Sequence, residues 1–500
     1  MSIFMTWDKK PFFAGTYFPP KSHYGMPGFP DLLDVIVSQW NNNRRKLLQS
    51  AEQIITHLKS AESGDKNIDD EELIKRAMQI FSESFDEING GFSSAPKFPT
   101  PHNLLFLMLY AKHKQDSDAL KMAEKTLLQM RKGGIFDHIG YGFSRYSTDK
   151  YFLAPHFEKM LYDNALLIIA YSAAYYLTNN EIYLDTAEKT TEYILREMTS
   201  ADGGFYSAQD ADSEGVEGKY YTFTLDEIIN VLGEEKGKRF AESFDITSNG
   251  NFEGVNILNL LKSNDLESDF SEEIHKLYDY RKKRTNLHLD NKILLSWNSL
   301  MIAALSMFYR VSRNEKYLNA VVNAQKFIEE NMCDGVQLFT SWRDGKHSEK
   351  SFLDDYAFYI ASLIELYNST LDKIYLEKAE RFCDEAVRQF EDCQRDGFYL
   401  CEASYTEIFM NPKETYDGAI PSGNSVMAYN FVRMFQLTEN EKYRKLTEKQ
   451  FEFLSVQAQD YPAGNSVFLL SKLLYENPPE HIVTVSYTHL RAHETLRHLV

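Results

Sequence analysis

Four stretches of this chain are apolar on nearly every side: 164–178, 297–311, 356–369 and 425–437. A helix of that composition has no solvent face and is buried by its neighbours. Each stretch is followed by a short polar phrase ending in tyrosine: Asn180-Glu181-Ile182-Tyr183, Asn314-Glu315-Lys316-Tyr317, Asp372-Lys373-Ile374-Tyr375 and Asn440-Glu441-Lys442-Tyr443. After the phrase the pattern becomes one-sided. Leu184, Ala187, Thr191, Ile194 and Met198 make one apolar stripe, and Leu376, Ala379, Phe382, Ala386 and Phe390 another, with charges opposite.

Buried helices alternating with amphipathic ones predict two concentric rings, the inner lining a core and the outer shielding it. The last three tyrosines lie 375 − 317 = 58 and 443 − 375 = 68 residues apart. That is too far for a short helical solenoid with a repeat of about 34 residues. Adding helices over 71–85, 102–112, 118–131 and 464–475 gives about twelve, or six hairpins. The expected fold class is therefore mainly α, an (α/α)6 six-hairpin toroid over 71–484.

The two ends differ from this pattern. Residues 2–18 alternate like two short strands around Asp8-Lys9-Lys10-Pro11, and 31–59 reads as one long helix. A hairpin and a helix cannot stand alone, so 1–60 is expected to be the C-terminal remnant of a larger α/β domain, with 61–70 as a polar linker. An insertion over 199–291, with a strand-like 219–224 and two short helices, is expected to lie over one barrel mouth. Residues 485–500 break the pattern and read as translated adapter sequence, not native chain. That reading leaves the sixth hairpin cut after its first helix, with an open seam.

Composition narrows the function. A formal charge of −19 and no basic patch disfavour nucleic acid and anionic membrane surfaces as partners. No apolar run is long enough to span a bilayer, and a soluble cytoplasmic protein is expected. The four cysteines, Cys333, Cys383, Cys393 and Cys401, have neither redox nor zinc spacing and are expected as buried or half-buried thiols.

Candidate chemistry clusters in loops at the starts of the inner helices. The segment 136–146 joins His138, Arg145 and the rings of Tyr141 and Tyr146, suited to stacking and hydrogen bonding on a sugar, or to an Asp137–Arg145 structural pair. His156 and Glu158 flank Phe157 and can present a base and an acid to one pocket. Asp163 either caps the next helix or meets substrate. Asp210 and Asp212 could share acid and base work or hold a cation, or they could simply be solvated. Trp297, Asn298, Asp354, Asp355 and Asn424 stand at the equivalent point of their own repeats. One of the two adjacent aspartates is expected to cap and the other to remain free. No cofactor and no metal are assigned.

Four motifs stand out: Lys10-Pro11-Phe12-Phe13-Ala14-Gly15-Thr16-Tyr17-Phe18-Pro19-Pro20, Pro96-Lys97-Phe98-Pro99, the run from His156 to Asn164, and Ser207-Ala208-Gln209-Asp210-Ala211-Asp212-Ser213. Together they resemble the spermatogenesis-associated protein 20 family, whose bacterial members are thioredoxin domain-containing proteins. The resemblance implies a thioredoxin-like domain before a barrel similar to glycosidases and N-acylglucosamine 2-epimerases. On that resemblance, the half that carries the C-x-x-C is expected to be missing from these residues. The expected function is sugar binding or acid/base carbohydrate chemistry in a rim pocket, on a small-molecule or glycan substrate. Hydrolysis needs two carboxylates about 5 to 10 Å apart, whereas epimerisation needs a base such as His138 or His156. The alternatives are a redox or folding factor whose barrel only holds a client, and a barrel that binds without turnover.

Overall fold

The computed structural model describes residues 2–23, 25–60, 70–263, 266, 268–348, 350–405 and 410–479. It forms two compact units, 1–67 with 401–412, and 68–400 with 413–500.

In the smaller unit, strands β1 (Ser2–Met5) and β2 (Pro11–Gly15) pair antiparallel, Phe4 opposite Phe13. Phe12 stacks on Trp40 with ring centres 5.7 Å apart. The single helix expected over 31–59 is two, α1 (Phe29–Asn42) and α2 (Arg44–Ser60), interrupted at Asn43, whose φ of −132° leaves the helical range.

The larger unit is the predicted barrel. Its inner helices are α4 (Pro101–Lys114), α6 (Leu161–Thr178), α11 (Leu295–Ser312), α13 (Leu353–Thr370), α15 (Gly423–Thr438) and α17 (Ser466–Glu476). Each packs on the next, and α17 packs on both α15 and α4, so the ring is closed. The outer helices are α3 (Asp70–Ser84), α5 (Ser117–Lys132), α7 (Glu181–Glu197), α12 (Glu315–Asn331), α14 (Lys373–Phe390) and α16 (Glu441–Gln457). The open seam expected from a cut sixth hairpin is not there, because α3, at the start of the barrel, supplies the sixth outer helix and packs on the turn 462–465 that leads into α17. Residues 485–500 lie outside the described residues.

Burial follows the polarity pattern. Every residue of α6 from Leu161 to Ser172 is buried, whereas α7 buries one stripe including Tyr183, Ala187, Thr191 and Ile194. The polar phrase between them is a cap. Gln115, Asn179, Arg313, Leu371 and Glu439 each end an inner helix in the left-handed region. The next residue, Asp116, Asn180, Asn314, Asp372 or Asn440, accepts a hydrogen bond from the amide two positions on and opens the outer helix.

The insertion departs from expectation in detail. It carries three helices, α8 (Leu225–Leu232), α9 (Glu234–Ser243) and α10 (Ser271–Arg284). Residues 219–224 form no strand, only a single bridge from Phe223 to Asn256. Phe240, Phe244, Phe270 and Leu277 give it a small core of its own. Its stem is a three-stranded ladder of 159–160, 208–209 and 289–290. Among the described residues no helix is long and apolar enough to cross a membrane.

Candidate functional site

The starts of the inner helices are fixed by two repeated devices. Three turns share the pattern Asp, Gly five residues later, then Phe: Asp86-Gly91-Phe92, Asp137-Gly142-Phe143 and Asp392-Gly397-Phe398. The glycine has φ of +77°, +76° and +74° in turn, a conformation that costs other residues. The aspartate accepts two backbone amides of its own turn and a lysine, Lys97, Lys159 or Lys413, at 2.7, 2.8 and 2.7 Å. Each lysine also donates to a carbonyl of the turn. The expected Asp137–Arg145 pair does not form. Asp137 is instead gripped by both nitrogens of Arg281 at 2.9 Å. Burial alone raises its carboxyl, but Arg281 and Lys159 outweigh this and hold it well below the usual carboxylate range.

The second device is an asparagine clamp. Asn164 accepts the Phe143 amide (2.7 Å) and donates to the Phe143 carbonyl (3.0 Å). Asn298 does the same to Phe205 and Asn424 to Phe398. All three asparagines are fully buried. Asn298 and Asn424, expected to touch substrate, have spent both ends of the amide on loop backbone. Asp355 is likewise structural, accepting from the Phe352 amide at 2.9 Å and the Thr340 hydroxyl at 2.7 Å.

Two further candidates sit apart from the helix starts. His138 is buried with its ring nitrogens 3.3 Å from Arg131 and 3.0 Å from the Gly133 carbonyl, between Phe136 and Phe244. Burial, with Arg131 beside it, pushes its pKa down to about 3, and no nitrogen remains for substrate. Tyr141 lies against Lys189 and Arg196 of the outer helix α7, not toward the inner ring.

Most of the remaining candidates form one connected cluster. Residues 146–147 pair with 155–156, setting Tyr146 opposite His156. Phe98, Tyr146 and His156 stack in series at 4.7 and 5.3 Å. His156 Nδ1 is 2.7 Å from Glu217 and Nε2 is 3.6 Å from Glu158. Glu158 meets Arg145 at 3.4 Å, Arg145 lies beside Tyr162, and Tyr162 sets its ring edge-on to Trp297 at 4.8 Å. Asp163 adjoins Arg145 and Glu158. It does not cap α6, since it is the third residue of that helix and Met160 holds the cap position. It is 4% exposed and its Oδ2 has no hydrogen-bond partner. Burial drives its carboxyl well up; Arg145 opposes and Glu158 reinforces this.

Asp210 and Asp212 are exposed, and Asp210 accepts the Asp212 amide at 3.2 Å. Asp212 pairs across a two-residue ladder with Glu217, the partner of His156, so the pair flanks the cluster. Asp354, the other member of its pair, lies against the Gly423 backbone at the start of α15. Burial, then Asp355 and Glu414, push its carboxyl up to about 7. Sequence reasoning missed Glu217 and Phe98 as members. Glu217 reads locally as part of a solvated turn, and only its contact across 61 residues reveals it. Among the described residues no group of three or more His, Cys, Asp or Glu is placed to hold a metal.

A family model described as "Protein of unknown function, DUF255", thioredoxin DsbH type, matches residues 1–59. Spermatogenesis-associated protein 20 of Homo sapiens is 34% identical over 89% of this chain and 64% of its own length. Thus the chain spans just under two thirds of that relative. The Caenorhabditis elegans protein B0495.5 is 33% identical over 92% of this chain and 70% of its own. Among solved structures, cellobiose 2-epimerase from Bacillus thermoamylovorans aligns over 81% of this chain and 98% of its own, with TM-score 0.53 and 12% identity. A D-mannose isomerase aligns over 81% and 96% (0.54, 13%), and a GH76 α-mannanase from Bacteroides thetaiotaomicron over 82% and 96% (0.51, 13%). At such identity the likeness establishes the (α/α)6 fold.

Proposed function

We propose, from the premise that the chain belongs to the spermatogenesis-associated protein 20 family and has the barrel fold found in sugar epimerases and isomerases, that it processes a sugar by proton transfer at the His156 cluster. The observation that carries this is a histidine held between two carboxylates, on a shelf of aromatic rings, beside a buried acid and an arginine. The exposed outer face of Phe98, at the end of the stack, takes a sugar ring. His156 takes the proton from the carbon next to the carbonyl of the open-chain sugar, Arg145 balances the negative charge that develops on the carbonyl oxygen, and the proton returns from His156 or from Asp163. Epimerisation or isomerisation is favoured over hydrolysis because the shielded carboxyl and the histidine belong to this cluster, whereas Asp210 and Asp212 lie exposed beside it.

The test is turnover of mono- and disaccharides by the intact chain, after a thermal-shift screen to find the sugar that binds. His156→Gln is expected to lower the rate by about 10²–10⁴-fold with an unchanged melting temperature. Full activity in that variant overturns the assignment.

The second reading, a redox or folding factor, is favoured by the family-model match over 1–59. No cysteine lies in that segment of this chain. The four cysteines all lie beyond it, at 333, 383, 393 and 401, and burial pushes the Cys333 thiol up to about 11. The discriminating outcome is reduction of a disulfide substrate by a longer form of the protein, with no sugar giving a thermal shift.

A further inference from the structure

Inside the inner ring lies a cavity of about 190 Å³ to which all six inner helices contribute. On α6, α11 and α13 it runs from the second turn to the last, away from the first-turn residues of the His156 cluster. Its walls are mostly apolar, with Leu166, Leu300, Phe358 and Leu470 among them. Its buried charged members are unequal in number, Arg310 and Arg433 against the single carboxylate of Glu365, and Lys112 lines it from an exposed position.

That carboxylate is already committed. Arg310 donates to Glu365 Oε2 and to its carbonyl oxygen, and to Ser369. Tyr429 donates to Glu365 Oε1 at 2.9 Å. Arg433, 6% exposed, has one side-chain bond, to the neutral Gln436 amide at 2.8 Å, and its Nε has no partner. Arg433 also helps hold the Glu365 carboxyl down, so two buried guanidiniums share one carboxylate; that shortfall is costly, and in a chain that is strongly acidic as a whole the positive excess here is local. His102 adds nothing to it, since burial pulls its pKa down to about 4.

We infer that the axial cavity binds an amphipathic monoanion, a carboxylate with an apolar body, whose head group pairs with Arg433 and whose body fills the space between the leucines and phenylalanines. A dry apolar cavity of roughly 150 Å³ takes a benzene ring. The size here suits an alkyl or aryl body of roughly six to ten carbons.

The experiment is calorimetric titration and thermal shift of the intact chain with octanoate, phenylbutyrate, octanol, octyltrimethylammonium, acetate and chloride. Stabilisation by octanoate or phenylbutyrate, and not by the others, is expected, and the stronger of the two tells alkyl from aryl bodies. Arg433→Met is expected to weaken octanoate by about tenfold or more. Leu470→Trp, which fills the cavity while keeping Arg433, is expected to abolish it. Equal stabilisation by octanol would mean apolar filling only, and equal stabilisation by acetate or chloride a small-anion site only. Either result, or no response to any carboxylate in the parent chain, overturns the inference.

Discussion

The turn that carries Asp137 and the helix start that carries Asp163 bury the same side chain equally deeply and do opposite things with it. The Asp137 side chain is 7% exposed and meets Arg281, Lys159 and two backbone amides. Asp163 is 4% exposed and leaves Oδ2 with no partner. The first carboxyl is driven well below its ordinary range and the second well above. A buried charge that is fully satisfied serves the fold. A buried acid left under-satisfied stores proton affinity, the property a proton-transfer site needs.

Breaking the satisfied side of this comparison has the largest expected effect. Asp137→Ala strands Arg281 and Lys159 in the interior and removes the acceptor for the Ile139 and Gly140 amides. The expected loss is about 3–5 kcal/mol, read as a fall in the urea midpoint. A variant as stable as the parent would show that the turn is held by packing instead of charge.

The asparagine clamps come next. Asn298→Ala leaves both polar groups of the buried Phe205 backbone unpaired, at an expected cost of about 2–4 kcal/mol, again measured by denaturation. Clamps like this mark the limit of what was legible in the sequence. The rings of helices were legible because alternation of all-round and one-sided apolar segments is written locally, and the capping phrase recurs intact. The clamp was not, because an amide at a helix start suits a ligand as well as a loop. Its partner lies 21, 26 or 93 residues away, and the longest of these spans crosses the insertion. The His156 cluster was half legible. His156, Glu158, Arg145, Tyr146, Asp163 and Trp297 do come together, while His138 and Tyr141, equally suggestive on paper, are absorbed by Arg131 and by the outer helix α7. The three-fold recurrence of Asp, Gly and Phe was readable in the sequence and marks the Asp–Lys turns.

On the under-satisfied side, Asp354 gives a pH signature. Its carboxyl is raised from an ordinary value near 3.8 to about 7 by burial and two neighbouring carboxylates. A raised acid favours the folded state while it is protonated, so its contribution is complete below about pH 4 and is lost as pH rises through about 7. Asp354→Asn removes the titration. The variant is expected to match the parent at pH 4 and to exceed it by on the order of 1–3 kcal/mol at pH 8. Parallel stability curves across that range would mean that the carboxyl ionises freely.

The smallest effect is expected where neither kind of burial applies. Asp210 and Asp212 are exposed, and Asp210 accepts a turn bond from the Asp212 amide, which asparagine can also accept. Each Asp→Asn change is expected to alter stability by no more than about 0.5 kcal/mol. If proton transfer centres on His156, sugar turnover is also expected to stay within about twofold of the parent, because no transition-state contact is lost. The contrast with His156→Gln is what makes this small effect informative. A loss of about a hundredfold in Asp210→Asn or Asp212→Asn, on an unchanged fold, would move the chemistry from the histidine to the carboxylate pair, and with it the reaction from epimerisation to hydrolysis.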